Sequence, residues 1–284
     1  MFNKNTPRVV VKNLSLSVLK KFSVYFIIFC TIAFISCDGY NRLLKSSNYE
    51  LKLERAQEYY KKGNYVKATA LFEELIPVYK GTDKAEEIYY YFSYCNYYQG
   101  DYALSQYHFK NYYRSFPMGK HAEECLFMNA YCYYLNSPVY KLDQTDTKNA
   151  MAELQNFIDL YPESSRIDSC NKINDVLRGK LEQKERDITN QYYNIGDYKA
   201  AIASCINFTK DFPESRFIDE IMYTQINSYY LLAINSLETK KVERLNLAME
   251  SYLKLVDLYP KSSYLPKAES VYESCVKIKS NLNQ

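Results

Sequence analysis

The sequence has no tryptophan and only two histidines, and its 284 residues include just 7 Gly and 8 Pro. So few turn formers exclude an all-β or doubly wound α/β protein and favour long helices joined by short links. The histidines, His108 and His121, lie in no metal-binding spacing, and neither a Gly-rich phosphate loop nor a GxSxG elbow occurs. Paired acids such as Glu73-Glu74, Glu86-Glu87 and Glu123-Glu124 are sequence neighbours, so on a helix they point different ways, as solvated faces do. With no convergent acid, base, nucleophile or metal set, the chain is expected to be no enzyme and to carry no cofactor or metal. Acids are also missing from residues 1–36, which hold Lys4, Arg8, Lys12, Lys20 and Lys21. Without those five the net charge of +3 becomes −2, a near-neutral body that argues against nucleic-acid binding.

Residues 22–35 (FSVYFIIFCTIAFI) form a mostly apolar run after this basic leader. The run is shorter than the roughly 20 residues a spanning helix needs and has the length of a signal-peptide core. It ends in Phe34-Ile35-Ser36-Cys37, which resembles the lipobox of bacterial lipoproteins, with Phe34 where Leu is usual. The resemblance implies cleavage before Cys37 and acylation of its thiol. Residues 1–36 would then be a lipoprotein signal peptide, and 37–49 the lipidated Cys with a short polar tether. A plain signal anchor, or a secretory signal with an incidental Cys, fits the same residues.

Four aromatic-proline pairs punctuate the body: Phe116-Pro117, Tyr161-Pro162, Phe212-Pro213 and Tyr259-Pro260. Three Gly-polar-Tyr turns accompany them, at Gly63, Gly100 and Gly196. A small residue stands twelve places before each of these prolines, at Ser105, Ala150, Ala201 and Ala248, and Ala68 takes that place in an earlier unit without a terminal proline. The pattern resembles the tetratricopeptide repeat, a helix pair of about 34 residues. Small residues let paired helices approach, a large residue four later fills the groove, and Pro ends the second helix. The expected fold is therefore all-α, an α-α superhelix solenoid of about five helix pairs with a capping helix near Ser263–Ser280. Units 1–3 would occupy 50–162, and units 4–5 with the cap 163–284. The proline spacings of 45, 51 and 47 residues exceed one repeat. The excess is assigned to a loop at Asn136–Asp146, a long helix over Ile167–Asn194, and an insertion near Ser236–Glu243.

Six further cysteines, Cys95, Cys125, Cys132, Cys170, Cys205 and Cys275, have irregular spacing, and their disulfide state stays open. Cys205 fills a large-residue slot, which suggests a buried thiol. The 32 tyrosines suit surfaces with an apolar body and a polar tip. In a tetratricopeptide stack the first helix of each unit lines the concave face. That register offers Leu53, Gln57 and Tyr60, then Glu87, Tyr90, Tyr94, Tyr97 and Tyr98, then Asn129 and Tyr133. The tyrosines Tyr60, Tyr90, Tyr94, Tyr97, Tyr98 and Tyr133, with Asn129, are the candidate peptide-binding residues.

The segments GNYVKATALFEEL (63–75), YYQGDYALSQYHFKNYYRSFP (97–117), DLYPESS (159–165) and NIGDYKAAIASCINFTKDFPESRF (194–217), behind the lipobox, carry a further likeness. Together they resemble the BamD family, lipoprotein subunits of the outer-membrane β-barrel assembly (BAM) complex. That resemblance implies a lipid-anchored scaffold on the periplasmic face of the outer membrane. Its N-terminal units would bind unfolded β-barrel proteins, and its C-terminal units a BamA-type barrel subunit. The alternatives are a tetratricopeptide lipoprotein adaptor for cell division or secretion, and a nutrient-capture lipoprotein. Missing tryptophan weighs against the latter's sugar stacking.

Overall fold

The computed structural model describes residues 39–282; the signal segment and Cys37 lie outside them. Every regular element among the described residues is helical. The chain divides into two compact units, one reaching Asp101 and the other starting at Tyr102. The first holds a short helix α1 (39–44), α2 (Tyr49–Lys61), α3 (Tyr65–Tyr79) and α4 (Ala85–Tyr98). The second holds α5 (Tyr102–Ser115), α6 (Ala122–Asn136), α7 (Thr145–Leu160), α8 (Ile167–Asn194), α9 (Tyr198–Asp211), α10 (Ile218–Ile234), α11 (Glu238–Leu258) and α12 (Leu265–Leu282). Helices α2 and α3 pair in the first unit, and α6 with α7, α8 with α9 and α10 with α11 in the second. Helix α12 closes the second unit by packing on both α10 and α11.

Apolar residues at helical spacing explain the first unit. Ala68, Leu71, Phe72 and Leu75 of α3 form one stripe, and Ile88, Phe92 and Cys95 of α4 another. Both close over Leu53 and Ala56 of α2. The Gly-polar-Tyr turns end one helix and start the next. Gly63 and Gly196 take φ of +73° and +82°, a region L side chains avoid. The following polar N–H bonds back five residues, Asn64 to the Tyr59 carbonyl and Asp197 to the Tyr192 carbonyl. The Asn64 and Asp197 side chains then cap the next helix by accepting from the Lys67 and Ala200 amides.

The aromatic-proline pairs end helices in one repeated geometry. Tyr161, Phe212 and Tyr259 share φ near −131° and ψ near 61°, outside the α region that a following proline disfavours. The rings of Phe116, Tyr161 and Phe212 lie against the aromatic residue one turn earlier in α5, α7 and α9: Phe116 on Tyr112, Tyr161 on Phe157, and Phe212 on Phe208, at 5.3–5.6 Å. Tyr79 occupies the same place after Ala68. Lys80 replaces the proline there, and Gly81 at φ +82° makes the turn. Pro77 sits inside α3 without ending it.

The serine two places after Pro162, Pro213 and Pro260 joins non-adjacent helices. Ser164, Ser215 and Ser262 each accept at Oγ from the amide two residues on. The same hydroxyls donate to Glu123 (2.5 Å), Glu182 (2.9 Å) and Asp219 (2.7 Å). Each staple ties an interhelix turn to α6, α8 or α10.

The three length excesses lie in the stretches the sequence suggests. The 137–144 loop is pinned by α8, where Lys180 donates to the Ser137 carbonyl and hydroxyl and Lys184 to the Leu142 carbonyl. Burial lowers the Lys180 pKa. Helix α8 spans Ile167–Asn194 as expected. The third excess is taken up in helix: residues 238–243 lengthen α11 to 21 residues. Glu238, Lys240, Lys241 and Glu243 are good helix formers, so nothing local interrupts it.

The segment read as a polar tether differs. Leu43 is buried in the α2–α4 core, and Tyr40 meets Tyr59 edge-on at 5.6 Å. The Tyr40 hydroxyl donates to the Lys67 carbonyl at 3.1 Å. Lys52, whose side chain is 1% exposed, donates to the Leu44 carbonyl at 2.9 Å and pairs with Glu74. A cation at that carbonyl completes the end of α1.

Candidate functional site

The first unit presents a groove between α2 and α4 of about 550 Å³, lined by Leu53, Glu54, Gln57, Lys84 and Glu87 among others. Three of the residues expected on a concave face, Leu53, Gln57 and Glu87, therefore meet there. Lys84 bridges to both oxygens of Glu50 at 2.8 and 2.9 Å, and Tyr79 donates to the same carboxylate at 3.0 Å. These bonds hold the Glu50 pKa below its ordinary value. Glu50 is thus charged and occupied, while Glu54 and Glu87 give the groove an acidic wall.

One turn further along both helices the groove gives way to tyrosines. Tyr60 lies 4.8 Å from Tyr91 and 6.2 Å from Tyr98. Tyr98 stacks on Tyr65 at 4.7 Å and on Tyr94 at 5.7 Å. Tyr90 meets Tyr94 at 4.9 Å, and Tyr97 meets Tyr98 at 5.4 Å. Burial, with Tyr98 and Tyr90 close by, pushes the Tyr60 phenol well above its ordinary pKa. The cluster offers ring faces and hydroxyl hydrogen bonds.

The structure thus joins Tyr60, Tyr90, Tyr94, Tyr97 and Tyr98 in one cluster, but it does not expose them equally. Tyr98 is 49% exposed, whereas Tyr94 is buried as the cluster's packing core. Two members were missed by concave-face register, Tyr65 and Tyr91. The Gly-polar-Tyr turn was the available signal for Tyr65, because capping by Asn64 starts α3 with that ring beside α4. The remaining candidates lie on α6 of the second unit. Tyr133 is half-buried. Asn129 is buried and turned inward, donating to Glu153 at 2.9 Å, and Glu153 also pairs with Lys110. A peptide on the surface would not reach the Asn129 amide, which serves packing of α6 against α7. Cys37 lies outside the described residues.

All six body cysteines are buried. Burial pushes the thiols of Cys95, Cys132 and Cys205 up to about 12 and that of Cys275 to about 11. Thiolate is the reactive form, so at mildly alkaline pH Cys95, Cys132 and Cys205 are expected to alkylate roughly a thousandfold, and Cys275 roughly a hundredfold, more slowly than an exposed thiol. Maleimide labelling followed by mass spectrometry, with and without denaturant, measures this. Rapid labelling of Cys205 in the folded chain would contradict it. Among the described residues no group of three or more His, Cys, Asp or Glu is placed to hold a metal ion, and no helix is long and apolar enough to cross a membrane.

Stacked helix pairs with buried small residues and proline-ended second helices define a tetratricopeptide-type helical-repeat protein, an architecture suited to binding other proteins. A family model described as "YfiO: Outer membrane lipoprotein" matches residues 48–245 and 178–282. The chain belongs to that family, the BamD-type outer membrane lipoproteins its repeats resemble. Among solved structures it is similar to the "TPR2AB-domain:pHSP90-complex of yeast Sti1", with 10% identity and a TM-score of 0.37 over 81% of this chain and 99% of that one. No curated protein matches.

Proposed function

We propose that this chain is an outer-membrane protein assembly factor, held at the periplasmic face of the outer membrane by acylated Cys37. Its first unit takes extended segments of unfolded β-barrel proteins, and its C-terminal helices dock a BamA-type barrel subunit within a BAM complex. The family match over residues 48–282 carries this reading. The α2–α4 groove supports it, because tyrosine rings beside carboxylates and amides suit an extended chain of mixed sequence. The role is that of a scaffold without catalysis.

The test is a mild-detergent pull-down of the C-terminally tagged chain from envelope membranes, with partners identified by mass spectrometry. Recovery of a barrel protein with periplasmic repeat domains is the expected result. A division or secretion protein in its place would reduce the role to an envelope adaptor.

A further inference from the structure

Helix α1 changes where the membrane must lie. A tether over residues 38–49 would let the body range about 40 Å from an acylated Cys37. With α1 locked by Leu43, Tyr40 and the Lys52 clamp, only Asp38 separates Cys37 from the folded unit. Two Cα steps span at most about 7 Å. Gly39 and whatever surrounds it therefore sit within about one Debye length of the lipid headgroups.

What surrounds Gly39 is a groove of about 510 Å³ that Arg42, Ser46, Arg55, Glu58 and Lys62 also line. Its cations outnumber its carboxylates. Arg55 donates to Glu58 at 2.7 Å, and Lys62 stands 3.8 Å from the same carboxylate oxygen. One acid is thus shared between two cations. Arg55 and Lys62 keep much of their side chains in solvent, so the shared acid does not consume their donors.

We infer that this groove is a docking surface for phospholipid headgroups, in which Arg55 and Lys62 receive lipid phosphate while α1 holds the first unit against the membrane. Arginine forks match phosphate oxygens, and each basic side chain near an anionic surface adds to attraction. The contact fixes which side of the unit faces the lipid, which the acyl anchor alone cannot do. The inference rests on the reading of Cys37 as the anchor.

The test uses the full lipidated chain carrying a fluorophore at Ser47→Cys. That site is exposed next to the groove, and the native body thiols are buried. The protein is reconstituted into vesicles of phosphatidylcholine and phosphatidylglycerol doped with a nitroxide-headgroup lipid. Strong quenching is expected. The Arg55→Glu/Lys62→Glu variant should lower it by about twofold or more, and the Arg55→Lys/Lys62→Arg variant should retain it. Both side chains are exposed, so circular dichroism of the variants is expected to match the native chain. Equal quenching in the charge-reversed variant, or none in the native chain, overturns the inference. Millimolar inorganic phosphate should leave quenching unchanged; its loss would assign the groove to free phosphate and also overturn the inference. Mass analysis of the N-terminal peptide separates the two readings. An unmodified Cys37 sinks the anchor, whereas an acylated Cys37 with an unquenched probe sinks only the groove.

Discussion

Replacing Phe157 with alanine is expected to destabilise the second unit by about 3–5 kcal/mol, the usual cost of emptying a buried aromatic site. Phe157 is fully buried, meets Phe127 edge-on at 5.7 Å and carries Tyr161 at 5.6 Å. The change opens a cavity between α6 and α7 and removes the ring on which the helix-ending Tyr161 rests. The backbone cannot close that gap cheaply, because Ala150 and Leu154 already bring α7 into full contact with its neighbours. Urea unfolding monitored by circular dichroism measures the loss. Leu160→Ala on the same helix, at a half-exposed site, should stay within about 0.5 kcal/mol. A Phe157→Ala loss under about 1 kcal/mol would mean that this slot is not a packing centre.

Phe157 also marks the limit of what the sequence discloses. The small-residue slot was legible at Ala68, Ser105, Ala150, Ala201 and Ala248, and all five are buried. Proline spacing located the helix ends, because proline acts through local sterics that need no knowledge of the fold. The slot seven residues after each small residue was not legible. Leu75, Tyr112, Phe157, Phe208 and Leu255 occupy it and are all buried, but their chemistry varies too much to read as one position. The Ser164, Ser215 and Ser262 staples were visible only as a PxS echo. Their partners Glu123, Glu182 and Asp219 lie 41, 33 and 43 residues away, on helices that only the tertiary fold brings near.

The candidate site divides in the same way. Tyrosine density on α4 announced the cluster, since residues three and four apart share a helix face. Which rings pack and which face solvent depends on neighbouring helices, so Tyr94 and Asn129 looked available and are buried. Helix α1 escaped notice for a related reason. DGYNRLLKSSNY reads as polar because its contribution to the core is essentially Tyr40 and Leu43, with Leu44 packed beside them. Lys52 in turn reads as a surface lysine on α2 until the Leu44 carbonyl and Glu74 are seen to enclose it.

The substitution with the largest expected effect on binding is Tyr98→Ala. Tyr98 combines solvent access with an ordered ring, stacked on Tyr65 and Tyr94 and flanked by Tyr60 and Tyr97. A ring held in place by its neighbours loses little further freedom on binding, which is the property that makes tyrosine an interface anchor. For a peptide with the C-terminal strand of a β-barrel protein, the affinity should fall about thirtyfold, the loss of about 2 kcal/mol typical of a hot spot. Stability should fall as well, because the ring's four aromatic pairs contribute about 0.5–1.5 kcal/mol each, although no buried cavity opens at this half-exposed site. Tyr98→Phe keeps the stack and should retain most of the affinity. Val66→Ala, at an exposed site on α3, should change it by less than about twofold. Fluorescence anisotropy of a labelled peptide gives the dissociation constants, and thermal unfolding checks that each variant is folded. An unchanged affinity in a folded Tyr98→Ala variant would move substrate recognition away from the tyrosine cluster and leave those rings as packing of the first unit.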